Sequence, residues 1–300
     1  MSDVIDPAPE GTPVDDVQYV DGPAGCIGYR RKGSGEPLLL LHPLALSGRV
    51  WASFADRLAA HYDVISPDSR GHGSSGWDGA PFGIADLADD IVVLLDALGL
   101  DAAHLLGMSM GGSVAMDVAG RYPDRVDRLV LADTTAWYGD DAPHTWKERA
   151  QRAQSVSRRS QVPFQVDRWF TEQFRRTRAD EVRRVTSIFI QTDSAAHAQA
   201  CLAFGAMDGR GLLGKVTAPT LSITGEEDYA TPSPMGAYAA EHVVDGVALT
   251  LPGLRHLSLV ERPELADLVS AHLEGESLPT HLPGLTCGCR PQGPNEESAS

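Results

Sequence analysis

Gly107-Met108-Ser109-Met110-Gly111-Gly112 is the stretch on which the reading of this 300-residue chain turns. Before it, Ala103 to Leu106 is an apolar run of strand length; after it, Met110 to Tyr122 reads as a helix closed before Pro123. A serine in a sharp strand-to-helix turn is strained, and strand and helix can approach only if the positions two before and two after it are small. Both are glycine here. A Gly-x-Ser-x-Gly match is cheap alone, but between a predicted strand and a predicted helix it makes Ser109 a candidate nucleophile.

The alternation of strand and helix extends in both directions. Upstream, Val17 to Tyr19 and Cys26 to Arg31 predict a hairpin turning at Asp21-Gly22-Pro23. Pro37 to His42 is apolar without alternation, as a strand buried on both faces must be. Trp51, Phe54 and Leu58 share a helical face, Tyr62 to Ser66 is the next strand, and Ile84 to Leu98 is an amphipathic helix. Downstream, Val126 to Asp133, Pro219 to Thr224 and Val247 to Leu251 are strands, and Pro263 opens a last helix. The pattern predicts an α/β fold with a mostly parallel eight-stranded sheet flanked by helices. Between 135 and 215 only helical patterns remain, which predicts an inserted helical lid. The core is then 15–134 and 216–275, with a loose arm at 1–14 and a disordered tail at 276–300.

Composition narrows the function classes. A net charge of −16 disfavours nucleic acid, whose phosphates would be repelled. No run approaches the roughly 18 apolar residues of a membrane span, and the N-terminus lacks a signal-peptide pattern, so a cytoplasmic protein is expected. Four cysteines are too few for a disulfide framework. Cys287-Gly288-Cys289 falls short of the four ligands of a structural zinc site, so no metal is expected.

A serine hydroxyl needs a base within reach and a carboxylate to orient that base. In this fold class they follow the nucleophile in the order acid, then histidine. His256, in Leu251-Pro252-Gly253-Leu254-Arg255-His256-Leu257, sits just past a strand, where a loop can bring it over the sheet; His61, His104, His242 and His272 lie in or beside helices and strands. Thr224-Gly225-Glu226-Glu227-Asp228 offers the acid. Asp228 is favoured because it lies one loop beyond the strand, with Glu227 as the alternative. An oxyanion hole needs two backbone N–H groups. Met110, at the start of its helix, is one candidate; in the loop after Leu41, Pro43 has no N–H, which leaves Leu44. His42 is either a wall of the pocket or the satisfied polar end of its strand. Asp68 to Ser75 reads as a tight connection in which Arg70 pairs with a nearby carboxylate.

Together these residues resemble the α/β-hydrolase superfamily from about Tyr19 to Leu273, and within it the 3-oxoadipate enol-lactonases. The likeness rests on Gly107 to Gly112, on Asp68 to Gly73, on Trp169-Phe170 with Phe174, on Trp146 with Arg149, on Asp228 to Pro232, and on His256-Leu257-Ser258 followed by Glu261 and Pro263. It departs at His42-Pro43, where a small polar Asn-Ser pair is expected. The resemblance implies cofactor-free opening of an enol-lactone that carries a free carboxylate.

Charge supports an anionic small-molecule ester or lactone as substrate. From Trp146 to Arg184 there are eleven Lys or Arg and five acids, on a chain of net charge −16. A basic lid would attract a carboxylate, and Arg149, on one helical face with Trp146, is the candidate contact. The alternatives are a general carboxylesterase, another lactonase or a C–C bond hydrolase with the same triad, and, in another class, a non-catalytic ligand-binding protein that kept the fold.

Overall fold

The computed structural model describes residues 16–278. Eight strands form one sheet: β1 (Gln18–Gly22), β2 (Gly25–Gly33), β3 (Glu36–Leu41), β4 (Tyr62–Pro67), β5 (Ala103–Met108), β6 (Val126–Ala132), β7 (Thr220–Gly225) and β8 (Gly246–Leu251), in the order β1-β2-β4-β3-β5-β6-β7-β8. The pairs β1–β2 and β2–β4 are antiparallel, and every other pair is parallel. The expected mostly parallel, eight-stranded sheet is therefore present. The C-terminal ends of β5, β6, β7 and β8 all open on the same edge, where ligand sites of such sheets lie.

The run Leu38-Leu39-Leu40-Leu41 lacks alternation because both faces of β3 are covered. Leu39 and Leu41 pack with α2 (Ile84–Ala97) and α3 (Met110–Arg121), while Leu38 and Leu40 pack with Trp51, Phe54 and Leu58, the last two from α1 (Ala52–Leu58). The helical face predicted for the Ile84 stretch is the buried one, through Ile84, Leu87, Ile91, Leu94 and Leu95.

Between β6 and β7 lie α4 (Ala142–Ser155), α5 (Arg158–Trp169), α6 (Glu172–Thr177), α7 (Ala179–Gln191), α8 (Ser194–Gly205) and α9 (Arg210–Leu213). Trp146 on α4 stacks on Phe204 of α8 at 4.7 Å, and Phe170 stacks on Phe174 at 5.0 Å. Beyond β7, α10 (Ser233–His242) precedes β8, and α11 (Ser258–Glu261) and α12 (Ala266–Leu273) close the described chain. The helical insertion is fastened to the segment around α11: Leu257 N–H donates to the Trp169 carbonyl at 3.1 Å, and the Glu261 carboxylate accepts from Thr171 N–H and Oγ1.

Several boundaries differ from the sequence reading. The opening hairpin turns at Pro23-Ala24, with Gly22 paired to Gly25, instead of at Asp21-Gly22-Pro23. Gly25 has φ +128°, which places the return of the chain there. Pro263 opens a short 3-10 turn through Leu265 ahead of the helix. The arm at 1–14 and most of the tail, with Cys287 and Cys289, lie outside the described residues. Among the described residues, no helix is long and apolar enough to cross a membrane.

Candidate active site

Ser109 sits between β5 and α3 with φ 54° and ψ −115°, a conformation that costs a non-glycine residue about 1–3 kcal/mol. Its surroundings hold it there. Ser109 N–H donates to the Ala132 carbonyl at 2.9 Å, and its own carbonyl accepts from Thr134 Oγ1 at 2.7 Å. The flanking glycines are dictated by contact: a Cβ on Gly107 would lie 2.1 Å from the Gly111 carbonyl oxygen, and one on Gly111 would lie 2.0 Å from that of Leu41.

The three residues read as a catalytic set from the sequence meet at this edge of the sheet. His256 Nε2 is 2.9 Å from Ser109 Oγ, and His256 Nδ1 is 2.8 Å from Asp228 Oδ2. Asp228 also accepts from Thr231 Oγ1 at 2.7 Å and from the N–H groups of Ala230 (2.8 Å) and Thr231 (3.1 Å). Burial raises the Asp228 pKa, but the His256 charge and these donors outweigh it, and the net direction is down. For His256, burial favours the neutral ring, yet the Asp228 charge and hydrogen bond win and its pKa lies above the ordinary 6.5. Glu227, the alternative acid, instead reaches Arg255 at the surface.

Asp133 is a further buried carboxylate that the sequence reading assigned only to the end of a strand. Its Oδ1 accepts from Gly225 N–H at 2.9 Å, and its Oδ2 accepts from Ser258 N–H at 3.1 Å and Ser258 Oγ at 2.6 Å. It thus ties the end of β7 to the residue two beyond His256. Burial and then the Asp228 charge push its pKa up to about 7.

The cavity at Ser109 is lined by Leu44, Tyr138, Trp146, Arg149, Gln165, Arg168, Trp169, His197 and His256, among others. The N–H groups of Leu44 and Met110 have no backbone acceptor among the described residues. The Arg149 guanidinium lies 4.2 Å over the Trp146 ring, and Arg168 lies 4.7 Å over the Tyr229 ring. Neither has a carboxylate partner among the described residues. Arg175, Arg178 and Arg184, by contrast, pair with Asp167, Asp180 and Glu181. Arg168 adjoins the Trp169-Phe170 signal, but only folding turns it into the cavity.

His42 is not among the residues lining the cavity. Its ring is buried, with Nε2 accepting from Ser69 N–H at 2.9 Å and Nδ1 bonding the Pro43 carbonyl at 2.8 Å. Both nitrogens are thus spent on backbone, which corrects its placement as a substrate contact and favours the alternative of a satisfied strand end. In the Asp68 loop, Arg70 pairs with Asp90 at 2.9 Å, and Asp68 accepts from the N–H groups of Gly48 and Ser74. A larger hollow of about 250 Å³, lined by Met116, Thr135, Ala203, Met207 and Leu212, faces neither Ser109 nor His256. Among the described residues, no group of three or more His, Cys, Asp or Glu could hold a metal ion.

The profile of the alpha/beta hydrolase fold matches residues 36–244, more than half of the chain. The chain belongs to this family. The α/β hydrolase is 29% identical over 227 residues to 3-oxoadipate enol-lactonase 2 of Acinetobacter baylyi, which covers 76% of this chain and 84% of that one. Among solved structures it resembles a hydrolase from Pseudomonas aeruginosa PA01 (TM-score 0.81, 29% identity, 87% of this chain and 99% of that chain). It also resembles the enol-lactonase from Burkholderia xenovorans LB400 (TM-score 0.80, 27% identity, 86% and 100%).

Proposed function

We propose that this α/β hydrolase is a serine hydrolase that opens a carboxylate-bearing ester or lactone through an acyl-enzyme, with 3-oxoadipate enol-lactone as the best-supported substrate. The observation that carries the reading is the chain of hydrogen bonds from Ser109 through His256 to Asp228, in a cavity that also holds the unpaired Arg149 guanidinium. The likeness to enol-lactonases supports the substrate class.

Ser109 Oγ attacks the carbonyl carbon as His256 Nε2 takes its proton, and Asp228 holds Nδ1–H and stabilises the imidazolium. The N–H groups of Leu44 and Met110 receive the oxyanion, each donor worth about 3 kcal/mol. When the tetrahedral intermediate collapses, the ring C–O bond breaks and the enol oxygen takes the proton back from His256. The leaving group stays tethered to the acyl chain. Water, losing a proton to His256, then cleaves the acyl-enzyme and frees Ser109. Arg149 and Trp146 hold the substrate carboxylate, and α4 to α8 act as the lid over the site.

Kinetics on 3-oxoadipate enol-lactone against neutral esters test the reading. The lactone should be preferred, and Arg149→Ala should harm it selectively. Equal turnover of lactone and neutral esters, unchanged in Arg149→Ala, would mark a general carboxylesterase instead.

A further inference from the structure

His197 on α8 is a histidine that the proposed mechanism does not use, and it lines the same cavity as Ser109 and His256. Its Nδ1 is taken by Arg158 Nη1, at the start of α5. Arg158 is itself buried and immobilised: its Nε and Nη2 donate to the Phe189 carbonyl at 3.0 and 2.6 Å, and its guanidinium lies 3.9 Å over the Phe189 ring. A guanidinium offers only N–H donors, so His197 Nδ1 must be the acceptor. A neutral ring that accepts at Nδ1 carries its proton on Nε2. That Nε2 has no partner among the described residues, and the ring lines the cavity at Ser109.

We infer that His197 is a specificity-determining residue: its Nε2–H, locked in place by Arg158, donates to the substrate carboxylate that Arg149 pairs with. This rests on the reading above that substrate occupies the Ser109 cavity. The donor is not a switch, because burial, Arg158, His72 and Arg149 all disfavour a charged His197 and push its pKa down to about 2. The neighbouring Cys201 stays a thiol, its pKa raised to about 11 by burial. The imidazole therefore presents one donor and no negative charge throughout the working pH range. An acceptor that bears negative charge meets both it and Arg149, whereas an alkyl group there leaves both unsatisfied.

The test compares two esters of equal chain length, mono-p-nitrophenyl adipate and p-nitrophenyl hexanoate. His197→Phe keeps a ring without a donor, and should raise KM for the adipate ester about tenfold more than KM for the hexanoate ester, with kcat for the two esters changed alike. His197→Gln, which can donate from Nε2, should restore most of the loss. Imidazole nitrogen NMR on the wild type should show His197 neutral, protonated at Nε2 and not titrating from pH 5 to 9, and Arg158→Met should release that tautomer. Equal losses on both esters, no loss in His197→Phe, or a proton on Nδ1 would each overturn the inference. If the wild type cleaved neither ester, the hydrolase reading would fall. Adipate would then decide on His197 by itself: a shift of its Nε2–H resonance supports the inference, and no shift overturns it.

Discussion

His256 Nε2 lies 2.9 Å from Ser109 Oγ, although 147 positions separate the two residues in the chain. The contact forms because the β5 elbow and the loop after β8 both end at one edge of the sheet, and it makes the serine the first test. Ser109→Ala should lower kcat for p-nitrophenyl acetate by about 10⁴-fold or more, with Tm little changed. Turnover at the wild-type rate would sink the mechanism, and a fluorophosphonate probe should label the wild type but not the variant.

On the proposed mechanism, the raised His256 pKa sets the acid limb of activity. The base must be neutral to accept the Ser109 proton, so kcat/KM should rise with pH through a value above 6.5. Asp228→Asn removes the charge that holds the value up and leaves burial acting alone. The limb should then move to lower pH, and kcat should fall by about 10⁴-fold. A limb that stays in place would separate Asp228 from His256.

Asp133 makes stability depend on pH in the opposite sense from an ordinary salt-bridged carboxylate. Its pKa is raised from 3.8 to about 7 in the folded protein. The folded state therefore holds a proton that the unfolded state has lost, and this contribution is complete below about 3.8 and lost as pH rises to about 7. In urea unfolding, Asp133→Asn should flatten that part of the wild-type profile. An unchanged difference between the two proteins across the window would refute it.

Gly111→Ala tests the packing of the elbow. The new methyl would meet the Leu41 carbonyl at 2.0 Å, and overpacking of this kind costs about 2–3 kcal/mol. In a domain this large, Tm should fall by roughly 5–10 °C. Gly79→Ala is the comparison for mere loss of a glycine: its φ of +85° is strained for alanine, but no atom lies within 4 Å of the added carbon.

What was legible in the chain was whatever depends on neighbours in sequence. The elbow announces itself because Gly107 and Gly111 answer to contacts within one strand-turn-helix unit. Asp228 and His256 follow because chain order and strand ends restrict where an acid and a base can stand. By contrast, α10 escaped the reading because the face it buries is made of Gly236, Ala239 and Ala240, which give almost no hydrophobic contrast. Asp133 looked like any strand-end aspartate, since its partners Gly225 and Ser258 lie 92 and 125 positions away. His42 could be read two ways until both ring nitrogens were seen on backbone. Arg168 and His197 reach the cavity only through the mutual packing of α5, α7 and α8, which no local pattern encodes.

The hydrogen bonds between the helical insertion and the segment around α11 make redesign of this protein asymmetric. Leu257, next to His256, hangs from the carbonyl of Trp169, and Glu261 from Thr171. Trp146 and Arg149 stand on α4, which has no such tie among the described residues. On the proposed mechanism, a library that varies those two should change substrate choice while keeping the contact between Ser109 and His256. One that varies Thr171 removes the hydroxyl that donates to Glu261, and should disturb the histidine loop along with the substrate pocket.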